Sequence, residues 1–284
     1  MAVVVGELVC TLGDLLLDVV VRLEGPLPEG DDAHCETHLS TGGQAANVAA
    51  WAVALGGRAR LIARRAQDGA GRLAEEGLAA RGVEAVGPTA EGRGGVVVSL
   101  VAPDGERTML SDRGVAAGLR AADLDPAWLD GCSHLHISGY ALMREPMASA
   151  AAAAATTARR QGARVAVDLA SAHLIRQHGV EEFAARLAAI APDLVLATEE
   201  EAGVFGGDPP APAWLVKRGA RGVRGGARDG TRFELPAAPA QVVDATGAGD
   251  AFAAGAALGG SLDDMARRGL GAAACCIARV GAMP

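Results

Sequence analysis

Short apolar runs of strand length alternate with helical patterns rich in small residues along most of this 284-residue chain, and that alternation limits the folds open to it. Val3 to Cys10 is an apolar run suited to a central strand. Gly43 to Leu55 follows as a small-residue helix and Arg58 to Ala63 as the next strand. Gly71 to Arg81 has a helical pattern that Gly82 ends, with Val83 to Val86 extended after it. Later units repeat the theme: helix Pro146 to Gln161, strand Arg164 to Asp168, helix Glu181 to Ile190, strand Leu194 to Ala197, helix Glu199 to Phe205, strand Trp214 to Lys217. Ser261-Leu262-Asp263-Asp264 is a capping box that opens a final helix. Such a chain is expected to form an α/β fold, a mostly parallel central sheet with helices on both faces.

Two segments break the alternation. Leu15 to Leu39 carries strand-like pieces around the turn Gly25-Pro26-Leu27-Pro28-Glu29-Gly30, and Gly94 to Leu110 has the pattern of a hairpin around Pro103-Asp104-Gly105. Segments of about 14–39 and 93–111 are therefore expected to form a small β-sheet lid on a single domain spanning residues 1–284, the other reading being a plain antiparallel edge.

The stretch Asp244-Ala245-Thr246-Gly247-Ala248-Gly249-Asp250 is the chain's clearest chemical motif. Two acidic residues bracket a glycine-rich turn, and the helical run Ala251 to Leu258 follows. Backbone N–H groups at a helix N-terminus lack intrahelical partners, and the helix dipole adds partial positive charge there. Gly247 and Gly249 let an anion approach the backbone closely, so the turn suits phosphate. Asp250 would repel a phosphate unless it has a task, and the natural task is to take the proton of a hydroxyl attacking phosphorus.

Composition narrows the field. The formal net charge of −8 argues against non-specific nucleic-acid binding, and no stretch is apolar and long enough to span a bilayer. The N-terminus lacks the charged start of a signal peptide, so a cytoplasmic location is expected. Lys217 is the only lysine, which removes a Walker-A Gly-Lys-Ser/Thr triplet and the Val-Ala-Ile-Lys element of protein kinases. Cys10, Cys35, Cys132, Cys275 and Cys276 show no metal spacing.

These residues together resemble the ribokinase, or phosphofructokinase-B, family of carbohydrate kinases. The C-terminal signature is carried by Asp244 to Asp250, the N-terminal one by Gly42-Gly43-Gln44-Ala45-Ala46-Asn47 with Leu55-Gly56, and a third by Gly13 to Asp18. Asp104 to Thr108, Thr198 to Ala202 and Gly219 to Gly222 follow in the family's order. The resemblance implies a ribokinase-like three-layer α/β/α sandwich with a β-sheet lid. It implies Asp250 as catalytic base and Gly247, Ala248 and Gly249 as the anion hole. Asp18, Gly42, Gly43 and Asn47 would bind the sugar, with Arg107 in reach from the lid. Thr198, Glu201, Lys217, Gly219, Gly222 and Thr246 would serve ATP, Glu201 would place Mg2+ through water, and Asp244 would help hold a monovalent cation such as K+. A homodimer paired through the lids is implied by analogy.

The departures are specific. Thr198 stands where the family has Asn, Lys217 where it often has Thr, and Asp168-Leu169-Ala170-Ser171 where many members have Asp-Pro-Asn. Lys217 is open to two readings, a phosphate contact or a solvated or salt-bridged side chain, and Arg107 to two others, a substrate contact or a surface salt bridge. His134 and His136 alternate on a strand-like run; Asp68 reads as a turn residue or helix cap; His34 and His38 read as exposed. A dinucleotide-binding reading fails because Phe252 stands at the third glycine position. The expectation is an ATP- and Mg2+-dependent kinase of a free sugar or sugar acid. The alternatives are a nucleoside kinase and a sugar-binding homologue without activity.

Overall fold

The computed structural model describes residues 6–284, so the Val3–Val5 part of the expected first strand lies outside the described residues. The strands are β1 (Leu8–Leu12), β2 (Leu16–Leu23), β3 (Cys35–Gly42), β4 (Arg58–Ile62), β5 (Arg65–Ala66), β6 (Glu84–Val86), β7 (Thr89–Ala90), β8 (Gly95–Val101), β9 (Arg107–Asp112), β10 (Cys132–Ser138), β11 (Arg164–Asp168), β12 (Leu194–Thr198), β13 (Ala213–Lys217), β14 (Val223–Ala227) and β15 (Arg232–Leu235). The helices are α1 (Gln44–Ala54), α2 (Gly69–Ala79), α3 (Met147–Arg160), α4 (Ala172–His178), α5 (Val180–Ile190), α6 (Glu199–Val204), α7 (Ala248–Ala257) and α8 (Leu262–Ile277).

Nine strands form the main sheet in the order β15-β14-β13-β12-β11-β10-β1-β4-β6. From β6 to β13 all neighbours are parallel; β14 and β15 add an antiparallel edge. Parallel strands buried on both faces need near-continuous apolar sequence, and β1, Leu-Val-Cys-Thr-Leu, is buried at every position. One face packs Leu12, Leu135, Val165 and Val195 against α3, α4 and α5. The other packs Val9, Leu61, Leu196 and Leu215 against α1, α2, α7 and α8. Alanines dominate α1 and α7, so these two helices share few bulky side chains and pack closely against each other.

A separate four-stranded sheet, ordered β3-β2-β8-β9, is built from the two segments that interrupt the alternation. β2 and β8 pair in parallel, while β3 and β9 flank them antiparallel. Its bounds run slightly past the expected ones, to Gly42 and Asp112. The hairpin β14–β15 and the short helix α4 were not expected from the sequence. Asp68 caps α2, accepting from the Gly71 N–H at 2.9 Å, and also accepts from the Gly94 N–H at 2.8 Å, which ties the start of β8 to the main body.

Candidate active site

The C-terminal ends of the parallel strands lie along one edge, and strand order reverses between β1 and β10, where an open α/β sheet leaves a crevice. Asp14 follows β1, Ser138 ends β10 with Tyr140 just beyond, Asp168 ends β11, Thr198 ends β12, and Lys217 ends β13. Helix α7 brings its N-terminus to the same edge. Its N-cap, Gly247, has φ 79°, and no side chain caps the turn. A Cβ at Gly247 would come within 2.5 Å of the Ala282 backbone, so both the left-handed dihedral and the close packing demand glycine. The Gly249 amide of the first turn is left for a ligand, and the Ala248 N–H beside it makes only a long bond to the Ala245 carbonyl, at 3.3 Å.

Asp250 lies on that first turn. Its Oδ2 accepts from Asn47 Nδ2 at 2.7 Å, which joins α7 to α1. Burial pushes the Asp250 carboxyl up to about 7; the Asn47 amide and Lys217 oppose the rise, and Asp168 and Asp18 add to it. A carboxylate poised near neutrality suits a general base. Asn47 is buried, and its Oδ1 has no hydrogen-bond partner, an acceptor aimed at no protein donor. Asp18 enters from β2 of the small sheet, and burial raises its carboxyl to about 6. A Cβ at Gly42 would stand 2.1 Å from Asp18 Oδ2, so glycine there makes room for this carboxylate. Gly43 caps α1.

Lys217 pairs with Asp168, Nζ to Oδ2 at 2.5 Å. Burial works against its charge, yet Asp168 and Glu201 hold its pKa above the ordinary lysine value. The same ammonium borders the anion turn, because a Cβ on Gly249 would meet Nζ at 3.4 Å. The salt-bridge reading of Lys217 holds, and the side chain also lies beside the glycine turn. Glu201 Oε2 accepts from the Thr198 N–H at 2.7 Å, and Thr198 Oγ1 accepts from the Glu201 N–H at 3.3 Å, a capping box that replaces the family's Asn arrangement. Gly219 and Gly222 bound the turn between β13 and β14.

Arg107, expected to reach toward substrate, is engaged elsewhere. Its Nη2 donates to Asp244 Oδ1 at 2.8 Å. The Thr246 N–H and Oγ1 donate to the same oxygen at 2.9 and 2.6 Å, and the Gly281 N–H donates to Oδ2 at 3.1 Å. Burial opposes ionisation of Asp244, but these donors outweigh it and hold the carboxyl far below the usual range. Three of these donors converge on Oδ1 and one on Oδ2, and the Arg107 guanidinium already supplies a positive charge at Oδ1, where a monovalent cation was expected.

Three features had no sequence signal. Asp14 makes a bidentate pair with Arg113, Oδ2 to Nε at 2.7 Å and Oδ1 to Nη2 at 2.9 Å. Ser138 Oγ donates to Gln44 Oε1 at 2.5 Å, fixing the start of α1 on β10. Tyr140, the only tyrosine, is half-buried within the field of Asp250, Glu201, Asp168 and Asp14, and burial with those charges raises its phenol. His134 and His136 are core residues that burial keeps neutral, at about 3 and about 4. No group of three or more potential metal-ligating side chains occurs among the described residues, and His34 and His38 are exposed.

An uncapped helix N-terminus with a near-neutral carboxylate beside it, and a further carboxylate from a second sheet, is an arrangement suited to a phosphotransferase acting on an alcohol. Residues 7–284 match the pfkB family carbohydrate kinase domain, and the chain belongs to that family. It is 32% identical over 252 residues, 87% of this chain and 82% of the relative, to an ATP-dependent ribose-1-phosphate kinase of Halopiger xanaduensis. A fructokinase of Klebsiella pneumoniae is 30% identical over 86% of this chain and 81% of its own. The fold superposes on that of an adenosine kinase from Sinorhizobium meliloti with a TM-score of 0.84 at 24% identity, covering 97% of this chain and 95% of that one. The chain is therefore a phosphotransferase of the pfkB carbohydrate kinase family with a ribokinase-like fold. No helix among the described residues is long and apolar enough to cross a membrane.

Proposed function

We propose that this chain is an ATP-dependent kinase of a free sugar, with Asp250 as the base. The observation that carries the reading is the Asn47–Asp250 bond at the mouth of the uncapped α7 terminus. It sets the base and an unpartnered amide oxygen side by side, the pair of groups a sugar hydroxyl and its neighbour would engage. Asp18, raised to about 6, faces the same space and adds an acceptor for a further hydroxyl.

Asp250 takes the proton of the acceptor hydroxyl as its oxygen bonds to the γ-phosphorus of ATP and the bond from that phosphorus to the bridging oxygen breaks, releasing ADP. The Ala248 and Gly249 amides receive the charge that develops on the transferring group, and Lys217 adds a fixed positive charge beside them. Mg2+ would offset charge on the ATP phosphates; the remaining Glu201 oxygen in the first turn of α6 suits a water-mediated contact of the kind such an ion favours. The small sheet acts as the lid, bringing Asp18 over the acceptor and excluding water. Its strands β3 and β9 expose Leu39, Met109 and Leu110, each more than half accessible, which favours pairing of two copies through this sheet.

A free sugar is favoured over a sugar phosphate because both arginines flanking β9 are already paired, Arg107 with Asp244 and Arg113 with Asp14, leaving carboxylates to face the acceptor. The test is ATP turnover against pentoses, hexoses, their 1-phosphates and nucleosides, with wild type and Asp250→Asn. Turnover confined to free sugars and lost in the variant supports the reading. Turnover with a 1-phosphate or a nucleoside alone replaces the acceptor class, and binding of sugars without any turnover removes the kinase reading.

A further inference from the structure

Both ends of the outer strand β9 are pinned to the main body by an arginine. Arg113, just past its C-terminal end, holds Asp14 at the end of β1. Arg107, its first residue, holds Asp244 just upstream of the anion turn. Strand rise of about 3.3 Å per residue puts these two attachments roughly 20 Å apart, so β9 spans the cleft from the acceptor side to the phosphate side. Arg113 sits at the root of the small sheet. Arg107 is at the far end of the hairpin.

Asp244 in turn organises the turn that presents the anion-hole amides. Its Oδ1 holds the Thr246 N–H and hydroxyl, and Gly247, the next residue, is the α7 N-cap. Its Oδ2 holds the Gly281 N–H, in the segment whose Ala282 packs under Gly247 and whose Ala282 carbonyl accepts from Trp51 Nε1 at 2.8 Å on α1. A cation beside Asp244 Oδ1 is what completes this carboxylate, and the guanidinium supplies it.

We infer that Arg107 is a built-in cation for the anion-hole loop: its guanidinium takes the coordination at Asp244 that a monovalent metal ion would otherwise fill, so the enzyme needs no such ion and its anion hole is set only when the β9 hairpin is closed. Arg107 is then a positioning residue that acts through Asp244, and the small sheet reports acceptor binding to the phosphate side through a single ion pair. The proposal rests on the kinase reading only for its turnover measurement.

The experiment compares KCl with tetramethylammonium chloride at equal ionic strength, for wild type, Arg107→Met and Arg107→Lys. Thermal midpoints and hydrogen exchange of the 107–112 and 244–249 amides are measured beside turnover. Wild type is expected to show the same midpoint and turnover in both salts. Arg107→Met is expected to lose kcat roughly tenfold in tetramethylammonium, to exchange faster in both segments, and to recover kcat and midpoint in KCl. Arg107→Lys keeps the charge and is expected to stay indifferent to K+. A wild type stabilised or activated by K+ overturns the proposal, as does an Arg107→Met protein with no response to K+. If no acceptor supports turnover, the kinase reading fails while the midpoints and exchange still decide the role of Arg107.

Discussion

As the proposed base, Asp250 serves two opposing demands. A base must ionise, but the site that makes it effective is mostly protein, and burial holds the carboxyl near 7 instead of the usual 3.8. Because the folded value lies above the unfolded one, the native state binds the extra proton between 3.8 and 7, and stability falls as pH rises across that interval. Asp250→Asn removes this penalty. Its melting temperature is expected to exceed that of wild type at pH 8 and to converge with it near pH 4, while kcat drops by about 10²–10⁴. Calorimetry at the two pH values with steady-state kinetics checks both halves. The wild-type rate is expected to rise as pH increases through about 7 and then level off; a rate that falls over that range would remove Asp250 as base. At Gly42, substitution by Ala drives a Cβ into the Asp18 carboxylate, so KM for the acceptor is expected to rise with little change in KM for ATP. Equal changes in both constants would count against Asp18 as an acceptor ligand.

At the scale of elements, the strand ends converge on one buried ion pair. Removing one partner of such a pair leaves an uncompensated charge, so Lys217→Met is expected to cost roughly 3–5 kcal/mol in chemical denaturation. Adding Asp168→Leu is expected to recover much of that stability but none of the turnover, since the ammonium beside Gly249 stays absent. Recovery of activity in the double variant would confine Lys217 to a structural role. The parallel strands were legible because burial on both faces demands runs such as Leu194-Val195-Leu196-Ala197, and the caps Asp68 and Ser261 announced their helices. β14 was hidden because Val-Arg-Gly-Gly-Ala lacks strand propensity; its glycines make room for the Trp214 and Phe233 rings. The Asp229-Gly230 turn was the available clue. The site's motif residues were legible as local patterns. Its ion pairs were not: Asp14 and Arg113 lie 99 residues apart, Arg107 and Asp244 137 apart, and no local periodicity links them.

At the scale of the whole molecule, the exposed Leu39, Met109 and Leu110 set an expectation about association. Light scattering of wild type is expected to give a dimer, and Leu39→Glu with Leu110→Glu a monomer with native circular dichroism. A monomeric wild type would leave the small sheet without a partner. The solitary lysine has a consequence of another kind. Acylating reagents that modify surface lysines in most proteins find one side-chain amine here, held protonated against Asp168 at the floor of the cleft. On the proposed reading, covalent modification of Lys217 is an active-site event. One acyl group on Lys217 should mean one dead molecule, and a bound nucleotide should shield it, turning mass spectrometry of a single amine into a gauge of site occupancy.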